Sequence, residues 1–216
     1  MIQIVKPLLL TVMLSATIAV GAQTKHGLAT LRSWEHSEAV GDLNRDGIND
    51  LVIIATPADK AHMKVRDDGY VYNFNQPVLA IFKGKAGGGF EPWKEYDNVI
   101  PARPQEYVSI SHSVSVTNRN TFTVDIEYFF SMGGWDSPSY AYVFRYQDGD
   151  FYLIGMEENH MTRNTGETEC ESYNYLTHKK LRTTGNATGK KGKSTSKWSN
   201  LPQEPLKRLG TWTLGE

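Results

Sequence analysis

Cysteine is nearly absent. Cys170 is the single one among 216 residues, so no intrachain disulfide can staple the fold. A lone thiol most often behaves as a small buried apolar side chain, and burial is expected for Cys170. Charge of one sign is not in excess either: 23 Lys and Arg face 24 Asp and Glu, a formal net charge of −1. That balance argues against a dedicated nucleic-acid binder, which concentrates basic residues. The familiar catalytic signatures are missing. There is no G-x-S-x-G elbow, no H-E-x-x-H pair, no glycine-rich loop opening a helix and no cysteine–histidine signature around Cys170. No catalytic residue is therefore assigned from motifs. A carboxylate pair assembled from distant positions, as glycosidases use, would leave no such mark.

The N-terminus carries Lys6, a mostly apolar run from Leu8 to Val20, and then Val20-Gly21-Ala22, with small residues at the −3 and −1 positions. This is the pattern of a secretory signal peptide over residues 1–22, cleaved before Gln23. The apolar run is short for a spanning helix, which needs about 20 residues. The expectation is a periplasmic or secreted chain with no membrane span once the leader is removed. It would form a single β-rich domain over 23–216, in which 22 basic residues face 24 acidic ones.

That region is rich in aromatic and turn residues (11 Tyr, 8 Phe, 5 Trp, 19 Gly) and shows no long amphipathic helix pattern. It reads as mainly β, with antiparallel sheets built from hairpins. Leu28 to Trp34 is read as a short first strand, and Ala58 to Tyr72 as an exposed irregular insertion. Val78 to Gly84 is a strand, turned by Ala86 to Gly89 and answered by Phe90 to Tyr96. Val108, Ile110, His112, Val114 and Val116 alternate with serines, and Phe122, Val124, Ile126, Tyr128 and Phe130 alternate in reply; the pair predicts a hairpin. His112, on the apolar face, is expected to be a satisfied core residue. Tyr140 to Tyr146 and Phe151 to Met156 predict a second hairpin about Asp148-Gly149. Glu157 to Glu171 reads as a loop, so Glu157, Glu158 and His160 are taken as solvated rather than as an acid–base cluster. Ser172 to Arg182 reads as a strand, and 183–197 as a flexible basic loop. The tail (Trp198, Leu201, Leu206, Leu209, Trp212) is expected to dock on the sheet.

The most informative stretch is Gly41-Asp42-Leu43-Asn44-Arg45-Asp46-Gly47-Ile48-Asn49-Asp50, followed by Leu51-Val52-Ile53-Ile54-Ala55. Oxygen-bearing side chains fall at alternate positions, Asp42, Asn44 and Asp46. Gly47 then permits a sharp turn, and Asp50 closes the segment. Hard cations such as Ca²⁺ take six to eight oxygens, and the backbone carbonyl of Ile48 would be the next ligand. An EF-hand loop would need a Glu at its twelfth position; counted from Asp42, that position is Ile53. The apolar, β-branched residues after Asp50 read as a buried strand, not a helix.

The segment resembles the loop of the FG-GAP (integrin α, VCBS-type) repeat, D-x-[DN]-x-D-G-x-x-D followed by aliphatics. That resemblance implies a Ca²⁺-holding loop between two strands of a blade, with Asp42, Asn44, Asp46, Ile48 and Asp50 as ligands. It extends over about residues 34–98, through the strand ending Phe82-Lys83-Gly84 and its Gly-rich turn. Only one such unit is present, so a full propeller is excluded and integrin-like ligand binding does not transfer.

The resulting expectation is an exported, non-enzymatic calcium-binding β domain that meets a protein or glycan of the envelope, its oligomeric state undefined. The alternative is an exported hydrolase of envelope polysaccharide or peptide with a structural calcium. Two further stretches bear on partners. Phe129 to Tyr140 is an aromatic loop that either seals one end of the core or presents Trp135 outward. Lys179 to Lys197 holds seven basic residues and no acid, and reads as a solvated face.

Overall fold

The computed structural model describes residues 25–117, 119–189 and 194–215. The leader assigned to 1–22 lies outside the described residues.

Two antiparallel sheets pack face to face. The first has the order β1-β2-β5-β6, from Glu35–Gly41 (β1), Asp50–Thr56 (β2), Val78–Gly84 (β5) and Phe90–Tyr96 (β6). Between β2 and β5 the chain makes a short hairpin, Met63–Val65 (β3) with Val71–Asn73 (β4). The second sheet has the order β13-β12-β11-β10-β9-β8-β7. Its strands are Val108–Thr117 (β7), Thr121–Phe130 (β8), Ser139–Gln147 (β9), Asp150–Thr162 (β10), Glu167–Asn174 (β11), Lys179–Asn186 (β12) and Thr195–Asn200 (β13). Neither sheet closes into a barrel, and the fold is a mainly β one with a single blade-like unit rather than a propeller.

The inner face of the second sheet supplies Phe122, Val124 and Ile126 from β8, Tyr142 and Phe144 from β9, and Phe151 and Leu153 from β10. They meet Val52, Ile54, Leu79 and Ile81 of the first sheet. Phe122 stacks on Phe144 at 5.2 Å and meets Phe151 edge-on at 5.4 Å. The opposite face of the first sheet is also covered: Leu51, Ile53, Ala55, Val78, Ala80 and Phe82 bury against Leu31 and its neighbours. β2 and β5 are thus apolar on both sides, which is why neither shows alternation. In the tail, Leu209 and Leu214 are buried and Trp212 packs against the core, as expected of a docking segment.

Seven expectations are corrected. Leu28–Arg32 is a short helix (α1), not a strand; its Leu28 and Leu31, three apart, both meet the first sheet. The 58–72 insertion is ordered as a single turn of 3₁₀ helix, Lys60–His62, and then β3, a turn and the start of β4. Glu157 to Glu171 is no loop: β10 runs on to Thr162 and β11 starts at Glu167. Ser172 to Arg182 is not one strand, because the chain turns at Tyr175 to His178, with His178 at φ +52°, before β12 begins. The basic stretch is partly sheet, since β12 continues to Asn186 and β13 starts at Thr195. Trp198, on that edge strand, is 65% exposed instead of docked, and Cys170 is half-buried.

Candidate metal centre

β1 and β2 are paired from Glu35↔Thr56 to Gly41↔Asp50, and residues 42–49 make the connection. The loop is pinned from below. Asp50 is fully buried; one carboxylate oxygen accepts the backbone N–H of Leu43 and the other that of Gly84, both at 3.0 Å. Desolvation raises the Asp50 pKa above the usual carboxylate range, the two N–H groups oppose this, and the charges of Asp46 and Asp42 add to the rise. Gly84 is required where it lies, because a Cβ there would collide with the Asn49 carbonyl oxygen. From the neighbouring sheet, Asn120 donates its amide to the Asp42 carbonyl at 2.6 Å.

Above Asp50 the chain is held by its own short side chains. Asp42 accepts from the backbone N–H of Arg45 at 2.6 Å and of Gly47 at 3.0 Å. Asn44 accepts from Asp46 N–H at 3.0 Å and donates its amide to the Asp46 carboxylate at 2.8 Å. Asp46 also accepts from Ile48 N–H at 2.9 Å. These are Asx-type turns, and they need positive φ at Arg45 (+66°) and Gly47 (+81°). The Asn44 amide, and then the Ile48 N–H, hold Asp46 below its ordinary pKa.

Of the five sequence-assigned residues, Asn44 and Asp46 are in direct contact, and Asp42 caps the same turn through backbone N–H groups. Asp50 faces inward to Leu43 and Gly84. Among the described residues, no three His, Cys, Asp or Glu side chains converge as a ready metal-binding group. The donor chemistry nevertheless fits a hard cation: every assigned atom is an oxygen. Each carboxylate oxygen that accepts one backbone N–H also retains a second lone pair.

Residues 36–74 match the FG-GAP repeat family model. The chain carries a single FG-GAP-type repeat. The matched segment runs from β1 through the loop, β2 and the β3–β4 hairpin. No curated protein and no solved structure matches the chain. No helix among the described residues is long and apolar enough to cross a membrane.

Glu158 and His160, expected to be solvated in a loop, are joined in the fold by Asp136, which the sequence did not point to. His160, on the extended part of β10, lies 2.8 Å from Asp136 through Nδ1 and 3.0 Å from Glu158 through Nε2. Glu158, with Asp136, holds the imidazole above its ordinary pKa, against a smaller opposing effect of burial. Both ring nitrogens are occupied by carboxylates, so the group ties the 131–138 loop to the sheet and has no nitrogen left for a substrate. The spacing Glu158-x-His160 was visible as a same-face pair, but only on a strand. The 131–138 loop itself leaves Met132 and Trp135 exposed, at 67% and 63%. It does not seal the core.

Proposed function

We propose that the chain is an exported, non-enzymatic β domain that works as an interaction protein in the periplasm or outside the cell, and that its FG-GAP loop takes one Ca²⁺. Asp42, Asn44, Asp46 and Asp50 would contribute side-chain oxygens and Ile48 its carbonyl. The observation that carries this reading is the placement of oxygen side chains at every second position of a loop whose far end is anchored by Asp50 onto β5. Within the FG-GAP match, such a loop has a stable base and an exposed rim where a cation can replace backbone N–H groups as the partner of Asp42 and Asp46.

The role of the ion is structural. Three carboxylates in one bend repel one another, and a divalent cation removes that repulsion. With affinity in the range of extracellular modules, about 10⁻⁴ to 10⁻³ M, millimolar calcium adds about 0.4 to 1.4 kcal/mol to stability. The test is thermal unfolding of the wild type and of Asp46→Ala, each in calcium and in chelator. The wild type should melt higher in calcium than in chelator, and Asp46→Ala should lose that increment, beyond whatever the loss of its hydrogen bonds to Asn44 and Ile48 costs in both buffers. An equal loss in both buffers would remove the ligand role.

A further inference from the structure

The apolar filling between the two sheets stops before the sandwich does. On β1 the inward positions run Gly41, Ala39, Ser37 and Glu35, and on β7 they run Val116, Val114, His112 and Ile110. At the Glu35–His112 end the gap opens into a cleft of about 310 Å³, walled by the β3–β4 hairpin and by the segment holding Arg103. This volume falls within the range of small-molecule sites, about 300–1,000 Å³. We propose that this cleft binds a neutral saccharide residue, between the Glu35 carboxylate, the His112 imidazole, the Arg103 guanidinium and the exposed ring of Tyr70.

Each group is suited to a hydroxyl-rich ligand and is held in place. Glu35 lines the cleft, and among the described residues its carboxylate makes no hydrogen bond or ion pair, so its oxygens are acceptors available to a ligand. Arg103 is fixed from behind: its Nε and one Nη donate to the carbonyls of Gln105 and Glu106, at 3.2 and 2.7 Å, and its guanidinium lies 4.7 Å over the Tyr72 ring. Its remaining N–H donors line the cleft. His112 lines the same cleft from β7, beside Ile110 and Ser111. Burial lowers its pKa, against the opposing charge of Glu35, and so favours the uncharged ring. Tyr70 is 51% exposed, and its edge-to-face contact with Tyr72 at 5.0 Å leaves ring surface for a sugar face.

The charge balance selects the ligand. Glu35 and Arg103 bring one charge of each sign to the cleft, so an anion or a cation would leave one of the two uncompensated. A neutral polyol can instead accept from the guanidinium and donate to the carboxylate, which is the geometry of charge-assisted hydrogen bonds. The lining is too polar for an apolar ligand.

The cleft lies outside the 42–50 loop, so its test is independent of calcium. Backbone amide NMR of the full chain is recorded while glucose, N-acetylglucosamine, cellotriose and chitotriose are titrated into the millimolar range, in calcium and again in chelator. Saturable shifts are expected around Glu35, Tyr70 and His112 with at least one sugar. Glu35→Gln and Tyr70→Ala should each weaken binding about tenfold without altering the rest of the spectrum. Absence of saturable shifts with all four sugars would overturn the proposal. So would shifts confined to another face, or affinity unchanged in both variants.

Discussion

Asp50 and Gly84 are 34 positions apart and joined by a 3.0 Å hydrogen bond from the Gly84 N–H to a carboxylate with no solvent exposure. The second oxygen of the same carboxylate receives the Leu43 N–H. One side chain therefore ties the loop, the start of β2 and the end of β5 together. Replacing it by alanine leaves two buried donors without partners. Asp50→Ala should cost about 2–4 kcal/mol in urea unfolding even in chelator. A loss under about 0.5 kcal/mol, the size of an ordinary surface substitution, would show that water replaces the carboxylate and that the loop is anchored otherwise.

Gly84→Ala tests the same junction from the backbone side. Its new methyl would be driven into the Asn49 carbonyl and the Ile48 side chain. A destabilisation of about 1–3 kcal/mol is expected, read as a lower urea midpoint with an unchanged slope. Gly87→Ala, where an added Cβ meets nothing within 4 Å, should be close to neutral and serves as the control.

Phe122 lies at the centre of the aromatic cluster with Phe144 and Phe151 and is fully buried. Phe122→Ala should cost about 3–5 kcal/mol by leaving a cavity between the sheets. Phe122→Leu should cost less. The ordering of the two variants in chemical unfolding checks that the sheets close on this cluster.

His160 gives a pH dependence of defined sign. Its folded pKa lies above the ordinary value of about 6.5, because Glu158 and Asp136 favour the charged ring. Its contribution is complete below the unfolded pKa and is lost as pH rises through the raised folded value. Glu169, opposite His160 on β11, is paired with Arg182 at 2.7 Å, and Tyr140 packs edge-on at 6.4 Å. The site is partly exposed, so the stabilisation is no more than about 1 kcal/mol. The stability difference between wild type and His160→Gln should therefore shrink as pH rises from about 6 towards alkaline values. A difference that grows with pH would reverse the assigned charge state.

The parts of the fold legible in the sequence are those where one face is buried and the other wet. The β7–β8 hairpin and the Asp148-Gly149 turn are of this kind, with Asp148 and Gly149 both at positive φ. Glu157 to Thr162 and β11 were illegible because they extend past the first sheet. Both faces there are half-solvated, and alternation gives way to paired charges such as Lys180–Glu171 and Arg182–Glu169. The helix Leu28–Arg32 spans five residues, too few for a 3.6-residue period to be distinguished from a strand. In the loop, the spacing of oxygens was readable, but the backbone partners of Asp42 and Asp46 were not, since an Asx turn and a metal loop call for the same residues. His112 was placed on the correct face. That its end of the face opens into a cleft depends on the β3–β4 hairpin, whose three-residue strands are too short to show an alternation.

Calcium titration by isothermal calorimetry, on the wild type and on Asp42→Ala and Asp46→Ala, bears most directly on the FG-GAP loop. One saturable site per chain is expected in the wild type, at submillimolar to millimolar affinity, and its heat should vanish in both variants. No saturable heat in the wild type, or binding that survives both substitutions, would contradict a calcium ion in the Asp42–Asp50 bend.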